Sequence, residues 1–207
     1  MPSLDVLSVD TKLENNTNDM VLRFLYRSIA HYSLEEKRIT GDLANCNLDA
    51  FPNVRCTLNQ DALWNDGHAI TVEDVLATYA LFKEKSHNDV TKARLSMVDV
   101  EEDKGDVIFR FHTNDITNLD ILFLPILRKR DMSHFSDNSN FATLSFSGPY
   151  IFSEKDTNTI TLKTNPGYQT KPDMYFLDQV RFGFGDTQKN VKKSINPDVW
   201  IGDTSDV

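Results

Sequence analysis

The chain has only two cysteines in 207 residues, too few for a metal cluster or a disulfide framework, and no histidine pair stands near them at zinc-ligand spacing. Basic side chains are the minority as well. Twenty-two Lys and Arg face 31 Asp and Glu, so the net charge is −9. With a pI near 5.0 the overall field repels phosphate backbones and anionic lipid, which argues against a nucleic-acid partner. No run approaches the roughly 18 consecutive apolar residues of a membrane helix. The opening MPSLDVLSVD lacks the basic start and apolar run of an export signal, although a bare Met replacing such a signal would look the same. Internal repeats, low-complexity tracts and long linkers are also absent. What remains is 40% hydrophobic and 26% charged, the balance of an ordinary soluble globular protein of one or two domains.

Catalytic signatures are missing too. There is no GxSxG elbow, HExxH, GxxxxGK[ST] or GxGxxG, and RFGFGD at 181–186 has too few glycines to cradle a phosphate and reads as a strand. His31, His68, His87, His112 and His134 are scattered in polar surroundings or on alternating strand faces, which suits surface or structural roles. Glu73-Asp74 fits the charge preference of a helix N-terminus, and Glu101-Glu102 a solvated turn. No metal site, cofactor or catalytic residue is expected, and the chain reads as a non-enzyme.

The elements that are present mix helix and strand. MVLRFLYRSIAHY places Val21, Phe24, Leu25, Ser28 and Ile29 on one face of a helix capped near Asn18 or Asp19. Residues 33–45 read as a polar turn and a short segment. Between Cys46 and Cys56 the turn formers of NLDAFPNVR centre on Phe51-Pro52, so a hairpin there would set the two cysteines opposite each other. A bridge and two buried reduced thiols are equal alternatives at this point. In LWNDGHAITVEDVLATYALFKEK, Asp66-Gly67 is a turn, Thr71 an N-cap with Asp74 at the third helical position, and Val75, Tyr79 and Phe82 follow at helical spacing. LSMVDVEEDKGDVIFRFHT predicts two strands about a Lys-Gly turn, with Val107, Phe109 and Phe111 alternating against Ile108, Arg110 and His112. NLDILFLPILRKR is an apolar run broken by Pro125. From Tyr150 onward three further strands are expected. Trp64 is expected to pack between the hairpin and the following helix. Trp200, in VWI near the chain end, needs a ligand or further protein to cover it.

Taken in order, these motifs resemble the extracytoplasmic solute-binding proteins of peptide and nickel ABC importers, family 5. Ser3-Leu4-Asp5 and the helix VLRFLYRSI are similar to that family's opening. GDLA at 41–44, a hairpin and LWNDGHAITVEDVLATYALFKE are similar to its Trp, Ser/His/Asn-Asp-Gly turn and Thr-Ala-Glu-Asp helix start. LPILRKRDM at 124–132 resembles an apolar segment ending in Pro-Lys, and SGPYIFSEKDTNTITLKTNPGYQTKPDMYFLDQVRF resembles its Gly-Pro-Tyr strand, Asn-Pro-x-Tyr turn, Lys-Pro loop and Leu-Asp-x-Val strand. Departures are Asn59, Gln60 and Asp61 before the Trp, Cys46-Asn47 where the family has a Trp, and Val6 after Leu-Asp.

The resemblance implies an α/β, mixed α+β fold: a periplasmic binding protein type II-like lobe with a mixed sheet and an appended α+β subdomain. Residues 1–26 and 139–207 would form the sheet core and 27–138 the subdomain. Ser194 to Val199 looks like the family's crossing into a second lobe, which is expected to be missing from this chain. The implied function is the non-enzymatic substrate-binding component of an ABC importer, extracytoplasmic, with a peptide or other small solute and a membrane permease as partners. Ligand-facing residues carried over by alignment are Val9, Asp10, Thr11 and Lys12, and Trp200, Ile201, Gly202 and Asp203. Two rivals are a sensor domain of similar fold in a cytoplasmic transcription regulator and an interaction module that has lost transport.

Overall fold

The computed structural model describes residues 6–8, 17–135, 141–157, 159–168 and 177–183. Helix α1 (Thr17–Leu25) buries Val21, Leu22 and Leu25. It ends earlier than the apolar spacing predicts, and the reason is tertiary. The Leu25 carbonyl accepts from the Ser147 and Gly148 N–H groups at 3.1 and 2.8 Å, and the Arg27 N–H donates to Ser147 Oγ at 2.9 Å. Those bonds replace a further helical turn. Ser28 instead forms an isolated bridge with Pro125, and Ile29 is buried outside the helix.

The stretch read as a polar turn contains a short hairpin, β1 (Ala30–Ser33) and β2 (Arg38–Gly41), paired antiparallel. Its four-residue strands are mostly solvated, so they carry no two-residue apolar period. Next come β3 (Ala44–Asn47) and β4 (Asn53–Leu58), joined by a 3-10 turn at Leu48–Ala50 and a cis Phe51-Pro52 bond. Cys46 stands directly opposite Cys56 in the register, and the two are joined as a disulfide. Of the two alternatives the bridge is the one formed.

Helix α2 (Val72–Lys85) starts as its sequence dictates, with a complete capping box between Thr71 and Asp74, and α3 (Asp89–Leu95) follows under an Asn88 cap. Strands β5 (Val98–Asp103) and β6 (Asp106–Phe111) turn at Lys104 and Gly105, whose φ angles of 56° and 87° are the left-handed pair of a tight hairpin turn. The sheet order is β3-β4-β6-β5. One face presents Val54, Cys56, Val107 and Phe109 to α2, where the Tyr79 ring meets Phe109 edge-on at 5.1 Å. Ile108, expected on the polar face with Arg110 and His112, is buried too. It stands in register between Arg55 and Glu101, whose stems can cover it.

The apolar run then forms a 3-10 segment (Ile116–Phe123), and Leu119, Ile121, Leu122, Leu124, Ile126 and Leu127 are all buried. Each such side chain contributes about 1.5–3 kcal/mol relative to exposure. A second 3-10 segment, Lys129–His134, follows. Strands β7 (Tyr150–Lys155), β8 (Thr159–Thr164) and β9 (Gln179–Gly183) make the last sheet, in that order, with a bulge between Phe152 and Glu154. Phe24 of α1 packs on it, its ring 5.3 Å from Tyr150 and 5.5 Å from Phe182. All pairings between the described strands are antiparallel, so the parallel pairing of a mixed sheet is not among them. Among the described residues no helix is long and apolar enough to cross a membrane.

Candidate functional site

The motifs read from the sequence converge on one junction between α1, the start of α2 and the approach to β7. Trp64 is 1% exposed and its N–H donates to the His68 carbonyl at 2.8 Å, closing the turn through Asp66 and Gly67. Gly67 has a φ of +83°, which a side chain would disfavour. Trp64 Nε1 points to Asp74 Oδ2 at 3.4 Å, so the ring packs on the α2 cap as expected. Asn65 exchanges two bonds with Phe146: its N–H donates to the Phe146 carbonyl and the Phe146 N–H donates to Asn65 Oδ1, each at 2.8 Å.

Arg128 is the buried charge of this junction, 8% exposed. Its Nη1 donates to Asp66 Oδ2 at 2.6 Å and to Ser145 Oγ at 3.0 Å, and the guanidinium lies 5.8 Å from the Trp64 ring centre. Arg130 adds a second contact to Asp66 Oδ2 at 2.9 Å, and Asp131 accepts from the Ser145 N–H at 2.7 Å. Burial raises the Asp66 carboxyl, but hydrogen bonds from Arg128 and His68 outweigh it and hold the group well below the usual carboxylate range. Removing Asp66 strands the buried Arg128 guanidinium, while Asp66 itself is 32% exposed and also meets Arg130, so the cost lies below the ~3–5 kcal/mol of a fully buried pair.

A second knot lies beside it. Arg27 Nε donates to Asp42 Oδ1 at 2.8 Å and its Nη2 to the Asp42 carbonyl at 3.0 Å, while the guanidinium sits 5.7 Å from the Tyr168 ring centre. Tyr168 belongs to the Asn-Pro-Gly-Tyr turn, in which Asn165 Nδ2 donates to the Gly148 carbonyl and the Gly167 N–H to Asn165 Oδ1, at 2.8 and 3.0 Å. Gly148 has no room for a side chain: a Cβ there would meet the Phe24 carbonyl oxygen at 2.4 Å.

These groups pair with one another across segments far apart in the sequence, so the junction ties those segments together. No group of three His, Cys, Asp or Glu that could hold a metal ion occurs among the described residues. Val9, Asp10, Thr11, Lys12, Trp200, Ile201, Gly202 and Asp203 lie outside the described residues, so the structure places none of these ligand-facing candidates. Sequence reasoning missed the roles of Arg27, Asp42, Arg128 and Tyr168. The one available signal was Arg128 itself, a basic residue closing the otherwise buried run LPIL.

A sequence model described as "Bacterial extracellular solute-binding proteins, family 5 Middle" matches residues 52–203. A binding protein of Brucella melitensis biotype 1 is 34% identical over 125 residues, 57% of this chain and 20% of its own length. The peptidoglycan-binding protein YepA of Agrobacterium fabrum is 32% identical over 126 residues, with the same two coverages of 57% and 20%. The fold is similar to that of the periplasmic murein tripeptide binding protein MppA in its unliganded open form, with a TM-score of 0.75 at 17% identity over 93% of this chain and 41% of that one. The chain thus spans one fifth of the length of these curated relatives, 20% in each.

Proposed function

Because the chain belongs to the family 5 bacterial extracellular solute-binding proteins, we propose that it is the first lobe of an exported binding protein that delivers peptides to an ABC importer permease. The observation that carries the reading is the family match over residues 52–203, which contains the tryptophan turn, the Gly-Pro-Tyr strand and the Asn-Pro-Gly-Tyr turn that meet at the junction. In this reading residues 1–26 and 139–207 form the binding sheet and 27–138 a subdomain fastened to it through Arg128 and Arg27. Val9 to Lys12 and Trp200 to Asp203 face the ligand. A second lobe, encoded elsewhere in the full-length protein, closes over the peptide and excludes water. Peptide is favoured as cargo because YepA is described by peptidoglycan and MppA by a murein tripeptide.

Thermal shift of the full-length protein and of this chain against tri-alanine, a mixed nonapeptide pool and a murein tripeptide tests it. A ligand at 100 times its Kd adds about 2.7 kcal/mol of stability. The expected result is a large shift in the full-length protein and a small or absent one in this chain. No shift of the full-length protein with any peptide overturns the peptide reading, and equal shifts in both overturn the need for a second lobe.

A further inference from the structure

The two cysteines sit where a bond between them governs more than a hairpin. Cys46 lies on β3, the edge strand of the four-stranded sheet, which among the described strands pairs with β4 alone. Cys56 is fully buried and Cys46 half-buried, so an external thiol reaches the Cys46 sulfur first. Two residues before β3 stands Asp42, the partner of Arg27. Asp42 and Leu43 are held from two sides: their N–H groups donate to the Ile29 and Ser28 carbonyls at 3.0 Å each, and at the end of the same hairpin the Asn59 N–H donates to the Leu43 carbonyl at 2.9 Å and Asn59 Nδ2 to the Asp42 carbonyl at 2.7 Å. The path from sulfur to junction is therefore short and continuous, running from Cys46–Cys56 through the Ala44 and Leu58 rung to Asp42, Arg27, Ser147 and Tyr168.

We propose that the Cys46–Cys56 bond is a redox latch on the junction: oxidised, it keeps β3 docked and Asp42 on Arg27; reduced, it lets the edge strand open and frees Arg27. The opening reaction is an exchange with an external dithiol. Its thiolate attacks the Cys46 sulfur, Cys56 leaves as a thiolate, and the second thiol resolves the mixed disulfide. The products are two protein thiols and an oxidised reductant, with two electrons and two protons transferred. The latch closes in an oxidising compartment and opens in a reducing one, so the junction is locked only outside the cytoplasm. This use of the latch rests on the exported-protein reading. The latch itself does not.

Hydrogen exchange of the whole chain, oxidised and after treatment with dithiothreitol, tests it without any ligand, so it can fail while peptide binding stands. Closing a ring of sequence separation 10 predicts that reduction raises the β3 opening constant about 100-fold. Faster exchange is expected at Asp42 to Asn47 and at the Arg27, Ser147 and Gly148 amides, with β5–β6 unchanged. The Cys46→Ser, Cys56→Ser double variant should behave as the reduced protein in both buffers; if it does not fold, the reduced wild-type chain alone decides. Exchange that quickens only next to the two cysteines overturns the latch. So does unfolding of the whole chain on reduction, or two free thiols in protein recovered from an oxidising compartment.

Discussion

Asp74 is a small buried carboxylate whose removal reaches beyond its own helix. It is 6% exposed, and its two oxygens serve three segments. Oδ2 accepts from the Thr71 N–H at 3.0 Å, from Thr71 Oγ1 at 2.9 Å and, more weakly, from Trp64 Nε1 at 3.4 Å, while Oδ1 accepts from the Lys129 N–H at 2.8 Å. Asp74→Ala breaks the capping box, which costs about 1 kcal/mol. It also leaves the Lys129 and Trp64 donors without their acceptor, about 1–3 kcal/mol for the better-placed of the two. The sum is about 2–4 kcal/mol. With a urea m-value of about 2 kcal/mol/M, the denaturation midpoint falls by roughly 1–2 M at unchanged slope. Asp74→Asn keeps one acceptor oxygen and should lose about half as much. Glu73→Ala, next door but exposed and paired only with the Lys129 ammonium at 3.0 Å, is the control and should hardly move the midpoint. An Asp74→Ala midpoint no lower than the Glu73→Ala one would refute the view that this carboxylate ties the helix start to the 129 segment.

Gly148→Ala should destabilise by about 3 kcal/mol, because the new Cβ would lie 2.4 Å from the Phe24 oxygen and 2.7 Å from the Leu25 carbon, backbone atoms that cannot swing aside. A thermal melt within a degree of wild type counts against that close approach. Asp66→Asn should cost most at neutral pH. The folded-state pKa of Asp66 lies below its unfolded value, so its stabilisation is present above the ordinary carboxylate range and fades as pH falls through and below that range. Melting curves of the two proteins should therefore converge from about pH 5 downward. A gap that stays constant from pH 7 to pH 2 contradicts this.

The parts legible in the sequence are those whose cause is local. The Thr71–Asp74 cap, the Lys104-Gly105 turn and the opposed cysteines each depend on residues a few positions apart, and all three formed as their residue types require. The end of α1 was not legible, because Ser147 and Gly148 take the Leu25 carbonyl that another helical turn would have used. Arg128 reads as the start of a basic cluster, yet its partners Asp66 and Ser145 stand 62 and 17 positions away. The β1–β2 hairpin escaped notice because short solvated strands bury too little to impose a period. The mixed helix and strand composition and the family resemblance survived these local misreadings, since they rest on the order of motifs along the chain.

The bond between the Arg27 N–H and Ser147 Oγ spans 120 positions of sequence, and that separation sets a schedule for folding. At about 5–20 residues per second, a chain being synthesised waits roughly 6–24 s between release of α1 and arrival of the segment that caps it. Through that interval Phe24 lacks the Tyr150 ring and the Leu25 carbonyl lacks its Ser147 and Gly148 donors. The final seating of the α1 end on β7 therefore comes after the segments between residues 30 and 135 have been made. The apolar face of the first helix is thus completed by the segment around residues 147–150, one of the last described parts of the chain to be made.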